Sequence, residues 1–214
     1  MSDTYVSLTF DDGYLEHYEV AEILSSKGIR ATFFLITHLR DYNGKALLTT
    51  RPELVRKIHQ MGHEVASHTR THPLLTVVPS KVVEEECSAS RNYLSELIES
   101  EITGFAYPYG AYNNKVANIV KKYYGYARIT GAFNRWNTES IDRYVIGGMG
   151  IRHLIKLPLN LVRPRETRYL VLVFHDDPPK AIVNAVRLLR LIGGRFATLS
   201  ELAEKRSVGE LGMA

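Results

Sequence analysis

Short β-branched or aromatic runs alternate with amphipathic stretches along almost the whole chain, and this alternation limits the available folds more than any other feature. "YVSLTF" (5–10) reads as a strand and "LEHYEVAEILSSKG" (15–28) as a helix stopped by Gly28. "IRATFFLI" (29–36) is the next strand, "RPELVRKIHQMG" (51–62) a helix with Pro52 in its first turn, and "HEVASH" (63–68) a strand. A long helix from about Pro79 to Ser100 follows, then strand "TGFAYP" (103–108), helix "NNKVANIVKKYYG" (113–125) and strand "YARI" (126–129). Beyond a less regular region, "RYLVLVFH" (168–175) is the most apolar strand. A helix over 178–194, a short strand "RFATL" and a closing helix "SELAEKR", with Ser200 placed to cap it, complete the order. Such alternation belongs to α/β folds with a mainly parallel sheet.

An open doubly wound sheet that held a dinucleotide would carry a glycine-rich turn after its first strand. The turn here is Asp11-Asp12-Gly13-Tyr14, whose anions would repel a pyrophosphate. A barrel instead gathers its chemistry at the C-terminal ends of many strands. Asp11, Asp12, His38, His68, Tyr109, Arg128 and His175 all fall at or just past strand ends, so a barrel is the expected fold. No repeat, linker or low-complexity segment divides the 214 residues, and one domain over 1–214 is expected. The single cysteine, Cys87, excludes an internal disulfide framework.

The first residues lack the basic start and apolar core of a signal peptide, and no apolar stretch reaches membrane-spanning length. A soluble, cytoplasmic chain with no membrane partner is expected. The net charge is only +4, and Arg143, Arg152, Lys156, Arg163, Arg165 and Arg168 read as a solvated face. No aromatics interleave with them as in a single-strand binder, so no nucleic acid is expected.

The stretch "VSLTFDDGY" ends an apolar strand on two adjacent carboxylates, an arrangement that calls for a compensating cation. "SHTRTHP" supplies candidates to hold one: His68 and His72 are four apart, and one helical turn would point both imidazoles the same way. Two histidines and a carboxylate make a metal site with open positions for water. One aspartate then ligates and the other stays free, with Gly13 relaxing the backbone so that both reach one pocket. The free carboxylate, beside a cation, is kept ionised and suited to take a proton from water. His175, at the tip of "LVLVFHD", reaches the same barrel mouth and reads as the proton donor.

"TFDDG", "SHTRTHP", "FAYPYG" and "LVLVFHD", in that order, resemble the motifs of the polysaccharide deacetylases, carbohydrate esterase family 4. "ATFFL", "GHEVASHT" and "RFATLSEL" fit the same family, so the resemblance spans almost the whole chain. It implies a distorted parallel (β/α) barrel, read with the strand pattern as seven-stranded, with the active site at the C-terminal strand ends. It also implies a metal-dependent hydrolase that removes N-acetyl or O-acetyl groups from a sugar or oligosaccharide. The metal would be divalent, with zinc first and Co2+, Mn2+, Ni2+ or Fe2+ as alternatives. Carried over by motif, Asp11 is the base, Asp12, His68 and His72 are the metal ligands, the Tyr109 backbone N–H holds the oxyanion, and His175 is the acid.

The third motif of the family commonly begins with an arginine that orients the base, and Ala106 stands at that position here. Arg128, near the end of the next strand, is expected to reach Asp11 from one strand over. The fourth motif, a tryptophan and an aspartate supporting the catalytic histidine, has Trp136, Asp142 and Asp176 as candidates. Tyr14 and His38 are further candidates for sugar contact, whereas His17, His59, His63 and His153 read as structural or solvated. Two other readings stay open: hydrolysis of another non-peptide C–N bond, such as a cyclic amide or formamide, and carbohydrate binding without turnover.

Overall fold

The computed structural model of the chain describes residues 4–131, 137, 142–156 and 168–204. β1 (Thr4–Phe10) leads through α1 (His17–Ser25) to β2 (Thr32–Leu35), and a small hairpin of β3 (Asp41–Tyr42) and β4 (Lys45–Ala46) precedes α2 (Pro52–Gln60). β5 (Glu64–Ser67), α3 (Ser80–Ile98), β6 (Gly104–Ala106), α4 (Asn114–Val120) and β7 (Tyr126–Thr130) follow. β8 (Ile146–Gly150), β9 (Arg168–Phe174), α5 (Pro179–Leu191) and β10 (Arg195–Phe196) complete the order, and a last helix begins at 199.

β1, β2, β5, β6, β7, β8 and β9 pair in that order, all parallel, and β9 closes back on β1 from Thr4↔Arg168 to Phe10↔Phe174. Because β9 occupies one edge of β1 along its whole length, β2 and β10 share the other edge. β2 pairs with Thr9 and Phe10, and β10 with Tyr5 and Val6. The result is the distorted seven-stranded barrel expected, with β10 wedged where β1 and β2 diverge.

One member of the ring differs from expectation. β8, "IGGMG", lies in the region read as irregular, while "RFATL" forms only the two-residue β10 outside the ring. Glycine weakens strands and hides them from propensity. Packing demands it here: a Cβ on Gly148 would lie 2.5 Å from Val173 Cγ2 and 3.2 Å from Arg128 Cδ.

Side chains alternate across the barrel wall. Phe34, Ala66, Ala106, Tyr126, Ile146 and Val171 form one cluster inside it. Leu8, Phe10, Phe33, Phe105 and Leu172 pack outward with helix residues such as Leu24, Ile58, Val83, Leu94 and Leu189. Leu199, Leu202 and Ala203 of the last helix join the inner cluster. That helix is capped by Thr198, not by Ser200. The Thr198 N–H donates to Glu201 Oε2 at 3.0 Å and the Glu201 N–H reaches back to Thr198 Oγ1 at 3.4 Å, a reciprocal capping box. The Ser200 N–H donates instead to the Glu64 carboxylate at 3.0 Å. Cys87 is buried, and desolvation pushes its thiol up to about 12, which suits a packing residue.

Candidate metal centre and active site

The barrel brings the expected strand-end residues to one mouth. Asp11 and His175 follow paired residues of β1 and β9, and the Asp11 N–H donates to the Phe174 carbonyl at 2.9 Å. The backbone then turns at Asp12 itself (φ 66°) as well as at Gly13 (φ 74°). A side chain on Gly13 would meet Leu35 Cδ2 at 2.7 Å, so the turn is tight as well as left-handed. Two consecutive left-handed residues carry both carboxylates into the same pocket, where a plain strand would separate them.

The histidine pair is held differently from the expected helical turn. His68 follows β5, His72 lies in a loop, and Thr69 and His72 are left-handed (φ 70° and 58°). Buried Glu86 of α3 moulds this loop. Its Oε2 accepts from the Arg70 and Thr71 N–H groups, each at 2.8 Å, and its Oε1 from Thr71 Oγ1 at 2.6 Å. The His72 N–H donates to Thr69 Oγ1 at 2.9 Å. Nothing in the HxxxH spacing signals a buried carboxylate so far along the chain.

Asp12, His68 and His72 are buried, and one ligand atom from each lies within 4.8 Å of the others. His68 Nδ1 faces the Ala106 carbonyl at 2.9 Å and must donate to it, which leaves a lone pair on Nε2. That nitrogen is 3.2 Å from His72 Nε2, and both are 3.6 Å from Asp12 Oδ1. Burial lowers both imidazole pKa values to about 4, so both rings are neutral at physiological pH. Burial and the neighbouring Asp11 charge raise Asp12, and a cation would reverse this. Converging neutral nitrogens and a carboxylate are the donor set of a divalent metal site. Tyr14 is buried beside Asp12, whose charge, after desolvation, helps push its hydroxyl pKa up, and it does not line the cavity, so it is no sugar platform.

Asp11 is paired. Arg128 Nη2 donates to Asp11 Oδ1 at 2.5 Å, with both side chains shut from solvent. Register explains the reach: Arg128 stands directly opposite Ala106 on β6, one strand from the position expected of the motif's arginine. The guanidinium also lies 5.0 Å from the Phe34 ring. Burial alone would raise the Asp11 carboxyl, but Arg128, with His68 and His175, outweighs it and holds the group below the usual carboxylate range. His175, half-exposed, places Nε2 3.6 Å from Asp11 Oδ2.

A cavity of about 220 Å³ opens over these groups, lined by both aspartates, His68, His72, His175, Tyr109 and residues that sequence reasoning missed, chiefly Tyr42, Asn43 and Thr130. Tyr109 sits in a tight turn with φ 59°. Tyr42 and Tyr109 each pack a ring 4.7 Å from His72, and their hydroxyls are 3.4 Å apart. The signal for the β3–β4 hairpin was legible, because Asn43-Gly44 between Tyr42 and Lys45 is a two-residue turn sequence.

Other candidates lie elsewhere. His38 packs against Tyr93 and does not line the cavity. Asp142 accepts from the Tyr144 N–H, and Asp176 pairs with Lys45 at 3.7 Å. Trp136, Arg163 and Arg165 lie outside the described residues, as do the side chains of Lys156 and Arg168.

Fold and site together define a parallel α/β barrel with a metal-binding His2Asp centre at its C-terminal mouth. The family model for polysaccharide deacetylase matches residues 1–128, and the chain belongs to that family. A chitooligosaccharide deacetylase of Rhizobium leguminosarum bv. trifolii is 30% identical over 204 residues, covering 94% of this chain and 83% of the relative. Among solved structures, the Xyl-CE4 domain of a multidomain xylanase from the hindgut metagenome of Trinervitermes trinervoides superposes with a TM-score of 0.70. It is 22% identical and covers 97% of this chain and 92% of its own. A family 4 carbohydrate esterase from Streptomyces lividans in complex with acetate gives 0.66 at 23% identity, covering 92% and 93%. These structural likenesses carry the fold. Among the described residues no helix is long and apolar enough to cross a membrane.

Proposed function

We propose that the protein hydrolyses acetyl groups from N-acetylated sugars or short oligosaccharides, with zinc as the first candidate metal and O-acetyl groups as a related substrate. The observation that carries the reading is the pair of proton-handling groups on adjacent strand tips beside the triad, Asp11 and His175, 3.6 Å apart. A divalent cation bound by Asp12, His68 and His72 supplies Lewis acidity to the acetyl carbonyl and to water.

Asp11, kept ionised and oriented by Arg128, takes a proton as the water oxygen bonds to the acetyl carbon. The Tyr109 backbone N–H carries part of the oxyanion charge. His175 protonates the departing nitrogen as the C–N bond breaks, giving acetate and a free amino sugar. A carbohydrate-binding protein without turnover has no use for a buried carboxylate held in the basic form. The relative named as a chitooligosaccharide deacetylase supports the choice of substrate class.

Acetate release from N-acetylated chito-oligosaccharides by the zinc-loaded protein tests the proposal. Hydrolysis of a cyclic amide or formamide with no acetate released, or sugar binding without turnover, would replace it.

A further inference from the structure

The seven residues from Asp11 to His17 touch more of the site than the motif suggests. Asp11 is the base, Asp12 a ligand, and buried Tyr14 stands beside Asp12. The segment is fastened on both sides: the Leu15 N–H donates to the Ala46 carbonyl at 2.8 Å and the Leu48 N–H to the Gly13 carbonyl at 2.8 Å. At its end stands His17, the first residue of α1, read from sequence as structural or solvated. It is 2% exposed, and its Nε2 lies 2.5 Å from the backbone carbonyl of His175.

A carbonyl oxygen only accepts, so His17 Nε2 must carry the proton. Nδ1 is then a bare lone pair. It is buried with no hydrogen-bond partner among the described residues, and the ring packs against Phe10, Tyr14 and Phe33 with centroids 5.5, 5.5 and 6.3 Å away. An unprotonated nitrogen in that apolar setting loses far less than an unpaired N–H donor would. Burial lowers the pKa of His17, in keeping with a neutral ring. On the other side of the same residue, the His175 N–H donates to Asp177 Oδ2 at 3.2 Å. Among the described residues the His175 imidazole itself is paired only with Asp11. Its backbone is therefore where the fold grips it.

We propose that His17 is a positioning residue for His175: by donating Nε2–H to the His175 carbonyl it fixes the acid relative to the base carried on its own segment. The inference rests on the reading of His175 as the acid. Asp11 is tied to β9 through the Phe174 carbonyl and His175 to α1 through its own, so the two strand tips cannot slide independently.

Steady-state kinetics of zinc-loaded wild type, His17→Leu and His17→Gln on N-acetylated chito-oligosaccharides test it. The glutamine amide can place an N–H where Nε2–H stood. Leucine is expected to lower kcat on the order of 10- to 100-fold, since misplacement by about 1 Å has effects of that size. KM should stay within about twofold and zinc content unchanged. Glutamine should recover most of kcat. Nitrogen NMR of ring-labelled histidine in the wild type should show His17 as the neutral Nε2–H form at neutral pH, a readout that survives if the leucine variant does not fold. Full kcat in His17→Leu, a glutamine variant no better than leucine, or an Nδ1–H or cationic His17 would overturn the assignment. A wild type that releases no acetate overturns the functional reading itself; an active wild type with an equally active His17→Leu overturns this inference alone.

Discussion

Arg128 on β7 and Asp11 at the tip of β1 form a buried ion pair at 2.5 Å, with Ala106 standing beside Arg128 where the motif commonly places its arginine. Removing one partner of such a pair strands the other charge in a medium that cannot solvate it, at about 3–5 kcal/mol. Arg128→Met is therefore expected to lower the melting temperature and, in the folded fraction, to cut kcat by about 10²-fold through loss of orientation. Zinc content, read by elemental analysis, should stay at about one ion per chain, because none of the three ligands is touched. A folded Arg128→Met enzyme with normal kcat would show that Asp11 needs no partner.

Gly148 offers a test of the same pair that leaves every charge in place. An alanine Cβ there would press on Val173 and Arg128 Cδ, so the arginine stem must shift. Gly148→Ala should reduce kcat in the same direction as Arg128→Met while keeping zinc. Thermal unfolding measured in parallel separates this from loss of fold. An unchanged kcat would mean that Val173 alone absorbs the strain.

The barrel was legible because alternating apolar runs leave few other solutions, and most of the site because its residues sit where parallel strands end. Arg128 was found by strand adjacency. What stayed hidden depended on contacts distant in sequence. Glu86 moulds the His72 loop from a helix turn that reads as solvated, and His17 is polar on a helix face yet fully enclosed. β8 was hidden for the opposite reason, since Gly148 makes room for Arg128 on β7 and Val173 on β9 and answers to no local preference. Tyr42 was missed although Asn43-Gly44 marked its hairpin, because a hairpin beside a parallel barrel does not announce that it covers the active site.

Tyr42 is expected to bind substrate without taking part in bond changes, since it reaches the cavity from the hairpin and touches the site through the His72 ring and the Tyr109 hydroxyl. Tyr42→Ala should raise KM for an N-acetylated oligosaccharide by about tenfold and leave kcat within about twofold, the pattern of lost uniform binding. Steady-state kinetics check it; a fall in kcat at constant KM would place the residue in the chemistry instead.

His63 governs part of the acid sensitivity of the fold, away from the metal ligands. Its Nδ1 accepts from the Ala31 N–H at 3.1 Å and its Nε2–H donates to the Ala21 carbonyl at 3.0 Å, so the neutral ring is satisfied and burial lowers its pKa. The unfolded chain, with a histidine pKa near 6.5, then binds more protons below that pH than the native state does. This group's stabilisation is fully present above about pH 6.5 and is lost as pH falls from there through the lowered native value. His63→Asn should flatten the pH dependence of unfolding by at most about 1.4 kcal/mol per pH unit in that window. Urea unfolding across the window measures it, and parallel curves for the two proteins would assign the sensitivity elsewhere.

Glu86 gives a prediction about metal affinity that requires no substrate. Its carboxylate accepts from two backbone N–H groups and one hydroxyl in the loop that carries His72, and that loop holds its ligand through left-handed residues at positions 69 and 72. An L-residue in that conformation is strained and persists only where its surroundings hold it. In Glu86→Gln the two oxygens that accept three bonds become one oxygen and an N–H2 donor, so at least one loop donor loses its partner. The loop relaxes, His72 drifts from His68, and the site loses its preformed geometry, whereas the ligands themselves are unchanged. Outer-shell changes of this kind weaken metal binding by about 10- to 100-fold. Zinc affinity measured by competition with a chelator should fall by that range in Glu86→Gln and further in His72→Ala, which removes a ligand outright. Equal zinc affinity in Glu86→Gln and wild type would show that the loop holds its shape without the carboxylate.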